Sequence, residues 1–504
     1  MTQHLRMRFI SIYVALAAAL LATSAFAADT PSSRAPDKDP TRLAMLPADS
    51  TTQHKITLHG HTLAYTATAG TLRMRDAKGD PTAAIFYVAY TLNNPPPNRP
   101  VSFFFNGGPG AGSAYMQMGA AGPEILNFPP GHEADGARAA RQENPDSWLA
   151  FTDMVFIDPV GTGYSLAADP KAAPELFWNV HADAESLAKT ITLWLGRNNR
   201  TKSPKFVVGE SYGGIRSIKV ARALQASQSI ILNGIIMVSP LLEEQYFFTD
   251  DPLTYAFSLP TLAASWLERQ HKLTPQAADA AYAYATGPYV ATLDGPPPTG
   301  DAARAFYQKL SDLTGVPEAV VAKQSGMLQP DSHDVKSQDG RLYSIYDMPL
   351  SIADPAPDGI DPDASPDPLL EGFGHAYGNA FAGYAADTLG FRTDLTYRLL
   401  DTEVNAKWDW REGPHHILST KDDMKKLLAL NPSLHILIAH GYFDAVCPFA
   451  TTRWLVDHLP VGRDRVTLKV YPGGHMIYTR AAARAALAQD VGAMVSSASA
   501  ASGP

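Results

Sequence analysis

The stretch "FVVGESYGG", residues 206–214, carries the reading of the whole chain. Three strand-favouring residues lead in: Phe206, Val207 and Val208. A helix-compatible run follows from Ile215 to Leu224. Between them, Gly209-Glu210-Ser211-Tyr212-Gly213 fits a G-x-S-x-G turn, which holds a serine on a sharp strand-to-helix bend. The reason for the glycines is steric. The bend forces its central residue into a strained backbone conformation, so the positions two before and two after it must be small. The pattern is short enough to arise by chance, so the rest of the chain has to support it.

A serine held in this way needs a base, a group that orients the base, and donors for the oxyanion. On an α/β-hydrolase sheet the acid and the histidine follow the serine in that order. In "IAHGYFDAV" the strand Ile436-Leu437-Ile438-Ala439 ends and Asp444 lies in the loop beyond it. In "VYPGGHMIY" the strand Val466 to Tyr471 is broken by Pro472-Gly473-Gly474, and His475 comes next. Both side chains are expected at the C-terminal ends of strands, the same edge as the turn at Ser211. His475 can then take the Ser211 proton, and Asp444 can select the tautomer that leaves the ring nitrogen free. Other candidates fit less well. His440 precedes the acid, His415-His416 lies in a linker, and Asp457 falls in the helical "TTRWLVDHL".

The oxyanion donors are expected from "FFFNGGPGAG", residues 103–112, where glycines let backbone N–H groups approach a ligand. Gly108 supplies one and Tyr212, the residue after the serine, supplies the other. A phosphate-binding loop is the competing reading. It lacks the following Lys-Ser/Thr, and Pro109 removes an N–H that a phosphate cradle would use.

The length of 504 residues allows one large catalytic domain with an added subdomain. The net charge of −9, with no basic cluster, argues against a nucleic-acid partner. Residues 1–27 read as a signal peptide: Arg6 and Arg8, then the apolar run Phe9 to Leu21, then Ala25-Phe26-Ala27 at the cleavage site. An exported protein, periplasmic or secreted, is expected, with no stable membrane association after cleavage. Residues 28–54 read as a flexible lead-in. The single cysteine, Cys447, excludes an internal disulfide, so stability must come from core burial.

Residues 55–105 alternate as several antiparallel strands. Beyond 150, short apolar runs at 153–158, 205–210, 232–240, 434–441 and 466–474 alternate with helical patterns such as 179–196. That texture predicts a mostly parallel sheet covered by helices on both faces. The catalytic domain is expected to be 55–241 and 431–495, with 242–430 as one inserted helical cap. The Asp-rich loop at 351–368 lacks the Gly and Glu spacing of an EF-hand, so it reads as a solvated loop. No metal or cofactor is needed for the chemistry.

Taken together, "NGGPG" (106–110), "GP" (122–123), "NPDSW" (144–148), "FIDPVGTGYS" (156–165), "GESYGG" (209–214), Asp444 with Cys447, and "GGHM" (473–476) resemble the serine carboxypeptidase family, in its bacterial secreted branch. The resemblance implies release of a C-terminal residue from a peptide through an acyl-enzyme, favouring acidic pH. It also implies that Asn106 and Glu210 recognise the substrate's terminal carboxylate. An acid beside that anion repels it unless one of the two is protonated, so Glu210 is expected to have a raised pKa. The sequence departs from the family pattern at Ala120, where well-known members carry a second Glu, and at Ala111, where a Cys often follows the loop. An esterase or acyltransferase using the same acyl-enzyme is the alternative activity. A non-catalytic binding protein on the same scaffold is a third reading.

Overall fold

The computed structural model describes residues 41–128, 135–244, 249–357, 366–412 and 418–500. The expected signal peptide, the first part of the lead-in and the His415-His416 pair lie outside the described residues.

The strands, in chain order, are β1 (Ser50–Leu58), β2 (His61–Arg75), β3 (Pro81–Leu92), β4 (Val101–Phe105), β5 (Glu124–Asn127), β6 (Ala140–Glu143), β7 (Asp153–Ile157), β8 (Leu166–Ala167), β9 (Lys205–Glu210), β10 (Gly234–Val238), β11 (Ser337–Gln338), β12 (Arg341–Tyr343), β13 (Ser351–Ala353), β14 (His435–Gly441) and β15 (Val466–Tyr471). The large sheet runs β1-β2-β3-β7-β4-β9-β10-β14-β15, with β8 against β3. The joins from β1 to β7 are antiparallel, and every join from β7 to β15 is parallel. This is the α/β-hydrolase arrangement. One expectation changes. The sequence predicts Val101–Phe105 as one of the antiparallel strands, but it lies parallel between β7 and β9, in the middle of the sheet. Its five residues are all buried, as a strand covered on both faces requires.

Alternate residues of the central strands feed two cores. Phe104, Phe206, Val208, Ile236 and Val238 join one, with Leu487, Val491 and Val495 of the helix Ala481–Ala500. Phe103, Phe105, Val207, Ile235 and Met237 join the other. There they meet Leu187, Ile191 and Trp194 of the helix Val180–Arg197, and Ile215, Ile218 and Leu224 of the helix Gly213–Ser227. Asn179 caps the first of these helices by accepting from the Ala182 N–H at 2.8 Å. Each such side chain contributes about 1.5–3 kcal/mol by burial. The sheet that carries the site is therefore held from both sides.

The expectation of a single cap over 242–430 is too wide. Residues from Tyr255 to Met348 do form a separate helical cluster, with Leu259, Leu262, Tyr289, Leu310 and Val321 at its centre. Tyr377, Phe381, Tyr384, Phe391 and Tyr397 instead pack into the first sheet core. Trp408, Met424 and Leu428 pack into the second. The later part of the region is apolar enough to join the main cores, so it does not form a unit of its own.

Candidate active site

β4, β9, β14 and β15 are mutually parallel, so the segments leaving their C-terminal ends meet at one edge. Those segments begin with Asn106, Ser211, Tyr442 and Pro472. In open α/β sheets this edge is where ligands bind.

Ser211 has φ 62°, in the left-handed region that a side-chain-bearing residue rarely adopts. Its amide donates to the Val238 carbonyl at 3.1 Å, and its carbonyl accepts from Gly214 and Leu241. The turn is thus held from both β10 and the following helix. The steric argument for Gly209 has a direct counterpart: a Cβ there would overlap the Gly213 carbonyl oxygen and the Ser217 hydroxyl.

His475 Nδ1 donates to Asp444 Oδ2 at 2.8 Å. The other oxygen of Asp444 accepts from the Val446 and Cys447 amides at 3.0 and 2.9 Å. The carboxylate is fully buried and its direction is fixed by three partners. Burial by itself would lower the pKa of His475. The charge and hydrogen bond of Asp444 outweigh it, so the imidazole is held well above its ordinary value. The Cys447 sulfur lies within 4.8 Å of an Asp444 carboxylate oxygen and a His475 ring nitrogen. Burial raises the thiol's own pKa, so Cys447 stays protonated and is a packing residue, not a second nucleophile.

The other candidates are elsewhere. His440 is fully buried on β14, with Nε2 at 2.9 Å from the Thr452 hydroxyl. Burial and the neighbouring His475 push its pKa down to about 3. Asp457 ends the helix Phe449–Asp457 and pairs with Arg463.

The glycine loop lies directly against the serine. A Cβ on Gly107 would sit 2.6 Å from the Glu210 carbonyl and the Tyr212 nitrogen, and 2.9 Å from Ser211 Cβ. The Gly107 carbonyl accepts from the Ala111 N–H at 3.1 Å. In a trans peptide the N–H points opposite to the C=O, so the Gly108 N–H is turned away from the loop. Arg216 anchors the loop from behind. It is buried, bonds Asp183 at 2.7 Å, and donates to the Asn106 carbonyl. Gly107→Ala is expected to displace the loop and lower kcat by about 10²–10³-fold, as loss of an oxyanion donor does. A circular dichroism spectrum unchanged from wild type would show that the fold survived.

Glu210 is buried beneath the serine. Asn106 Nδ2 donates to its Oε2 at 2.7 Å, and the Tyr478 hydroxyl donates to Oε1 and Oε2 at 3.0 and 2.9 Å. Burial pushes its pKa up to about 7, against the nearby His475 and the two donors, and Asp444 adds to the rise. Sequence reasoning missed Tyr478, although it stands three residues after His475. It also missed Tyr346, whose carbonyl accepts from the His475 amide and whose ring meets the imidazole edge-on at 5.4 Å. No local pattern marks Tyr346; its role depends on how the region before β13 folds back.

Fold and site define an α/β-hydrolase with a serine, histidine and acid at the strand ends. Residues 61–274 match the family model described as serine carboxypeptidase, which relates the chain to that family. Among curated proteins, the chain is 28% identical over 134 residues to "Serine carboxypeptidase S10 family member 1" of Dictyostelium discoideum, covering 26% of this chain and 29% of the relative. It is 29% identical over 178 residues to "Serine carboxypeptidase-like 8" of Arabidopsis thaliana, covering 35% and 38%. The chain thus spans well under half the length of these relatives. Among solved structures it is similar to Kex1(Δ)p, a prohormone-processing carboxypeptidase from Saccharomyces cerevisiae. The TM-score is 0.55 at 16% identity, over 86% of this chain and 92% of that one, a likeness of fold.

Proposed function

We propose that this protein is a serine-type carboxypeptidase of the bacterial secreted branch, exported to the periplasm or beyond. The observation that carries the reading is Glu210: a buried carboxyl hydrogen-bonded to Asn106 in the position just before Ser211, at the sheet edge that also carries the His475–Asp444 pair, with burial raising its pKa to about 7. Ser211 attacks the scissile carbonyl while His475 accepts its proton, and Asp444 holds the ring. The Gly108 and Tyr212 amides stabilise the oxyanion. His475 returns the proton to the leaving amino acid, and water then releases the acyl group by the same steps in reverse. Protonated Glu210 and Asn106 donate to the substrate's terminal carboxylate. The export reading rests on residues 1–27; no helix of the described residues is long and apolar enough to cross a membrane. The helical cluster from Tyr255 to Met348 is the part of the expected cap that limits which peptides reach the site.

The sign of the pH dependence follows. Below about pH 7 Glu210 is protonated and donates; above it the anion repels the substrate's carboxylate. For a blocked dipeptide with a free C-terminus, kcat/KM is expected to fall roughly tenfold per pH unit on the alkaline side. The acid limb belongs to His475, which must be neutral to act as base; because Asp444 raises its pKa, this limb overlaps the alkaline one and the profile is a narrow bell. The matched ester, which has no carboxylate to recognise, lacks the alkaline limb. Glu210→Gln, a donor at every pH, removes that limb for the dipeptide as well. The test is turnover of the dipeptide against its amide and ester. Hydrolysis of the ester alone would overturn the carboxypeptidase reading in favour of an esterase or acyltransferase.

A further inference from the structure

We propose that Tyr478 is a positioning residue that orients Glu210 toward the terminal carboxylate of a peptide substrate, an inference that rests on the carboxypeptidase reading above. Among the described residues, the hydrogen bonds to the Glu210 side chain come from Asn106 and Tyr478. The two donors belong to different parts of the fold. Asn106 follows β4 and is held from behind by Arg216. Tyr478 lies on the short 3-10 turn Ile477–Thr479, immediately after His475 and Met476. The phenol and the catalytic base therefore travel on one short segment, and a shift in either moves the other. Ser239 fixes that segment by donating to the His475 carbonyl at 2.7 Å.

The phenol ring is itself clamped. It packs so closely on Gly119 that a Cβ there would overlap it. Tyr478 is 1% exposed, so neither the ring nor its hydroxyl has a solvent alternative. The next residue, Ala120, is fully buried. A neutral donor and a like-charged acid act differently on Glu210. The acid would raise the cost of ionisation, whereas the phenol favours the ionised form and fixes the carboxyl's rotation. With Tyr478 touching both oxygens and Asn106 touching one, few directions remain for the acid's own O–H. The charged and titratable groups facing Glu210 are His475, Asp444, Tyr478 and Tyr377. Among the described residues, none of the other three hydrogen-bonds its carboxyl, so of the titratable groups it is Tyr478 that orients it, together with Asn106.

The experiment is Tyr478→Phe, which keeps the ring and removes the hydroxyl. Active sites are counted by fluorophosphonate titration. The kcat/KM ratio of the free-acid dipeptide to its matched ester is expected to fall about tenfold, mainly through KM, as loss of a buried hydrogen bond does. The alkaline limb of the dipeptide profile is expected to move to higher pH by about half a unit, because a donor to the carboxylate has gone. In a Glu210→Gln background the same substitution should change the ratio by less than about twofold, since Tyr478 acts through that carboxyl. Equal losses on dipeptide and ester, an unmoved alkaline limb, or an undiminished effect in the Gln background would each overturn the proposal. So would a variant with no titratable sites, the outcome a purely structural role predicts. A wild-type enzyme that hydrolyses only the ester would instead remove the carboxypeptidase reading on which the inference stands.

Discussion

Ser211→Ala is expected to abolish turnover, by about 10⁶-fold, and to abolish labelling by a fluorophosphonate. The substitution removes one oxygen from a turn whose backbone is held independently by Val238, Gly214 and Leu241. Alanine can occupy the same backbone conformation at a cost close to that of serine, so the melting temperature should stay near the wild-type value. Loss of activity with an intact fold would then report the chemistry alone. A nucleophile has no substitute within the site. The adjacent Cys447 thiol is buried and its pKa is raised, so it is not poised to take over. A Ser211→Ala protein that still labels fully, or retains more than about a hundredth of wild-type activity, would remove Ser211 from its assigned role.

Asp444→Asn is expected to lower kcat by about 10⁴-fold at neutral pH while leaving binding nearly intact. Asp444 Oδ1 accepts from two backbone amides, and Oδ2 faces His475 Nδ1. An asparagine keeps its carbonyl oxygen toward the amides, which places its NH₂ toward the ring. His475 Nδ1 must then accept, so the ring carries its proton on Nε2, where it faces the serine and cannot act as base. The residual rate would come from the oxyanion donors. The wrong tautomer is visible by ¹⁵N NMR of the imidazole. A loss below about tenfold would show that Asp444 does not orient the base. The three effects expected at Ser211, Asp444 and Gly107 are not additive, because these groups act on one transition state.

Much of the sheet was legible before any coordinates. The runs at Val101–Phe105, Asp153–Ile157, Lys205–Glu210, Gly234–Val238 and His435–Gly441 are short, apolar and strand-favouring because a parallel strand is buried on both faces. The G-x-S-x-G pattern was legible for a similar reason: a Cβ at Gly209 would strike the backbone of its own turn, so the constraint is local. Strand order was not. β7 lies between β3 and β4 although it follows both in the chain, and nothing in the composition of any of the three states which neighbour it will have. How the residues of 242–430 divide among the cores is not legible for the same reason. Tyr377, Phe381 and Phe391 are as apolar as any cap residue, and only their contacts assign them to the main core.

For the site, the chain alone supplied the chemical types and their places at strand ends: a hydroxyl at 211, a carboxylate at 444 and an imidazole at 475, while the part of Glu210 came only from the family resemblance. These follow from local patterns, since each sits at a turn whose geometry its own neighbours dictate. What holds Glu210 was settled by tertiary structure, because Tyr478 meets it across 268 residues of chain and Asn106 across 104. The same is true of its pKa, which burial sets, and of Tyr346 against His475. Hydrogen bonding and desolvation act through space at a few ångströms, and spacing along a chain carries no record of which distant groups will share that space.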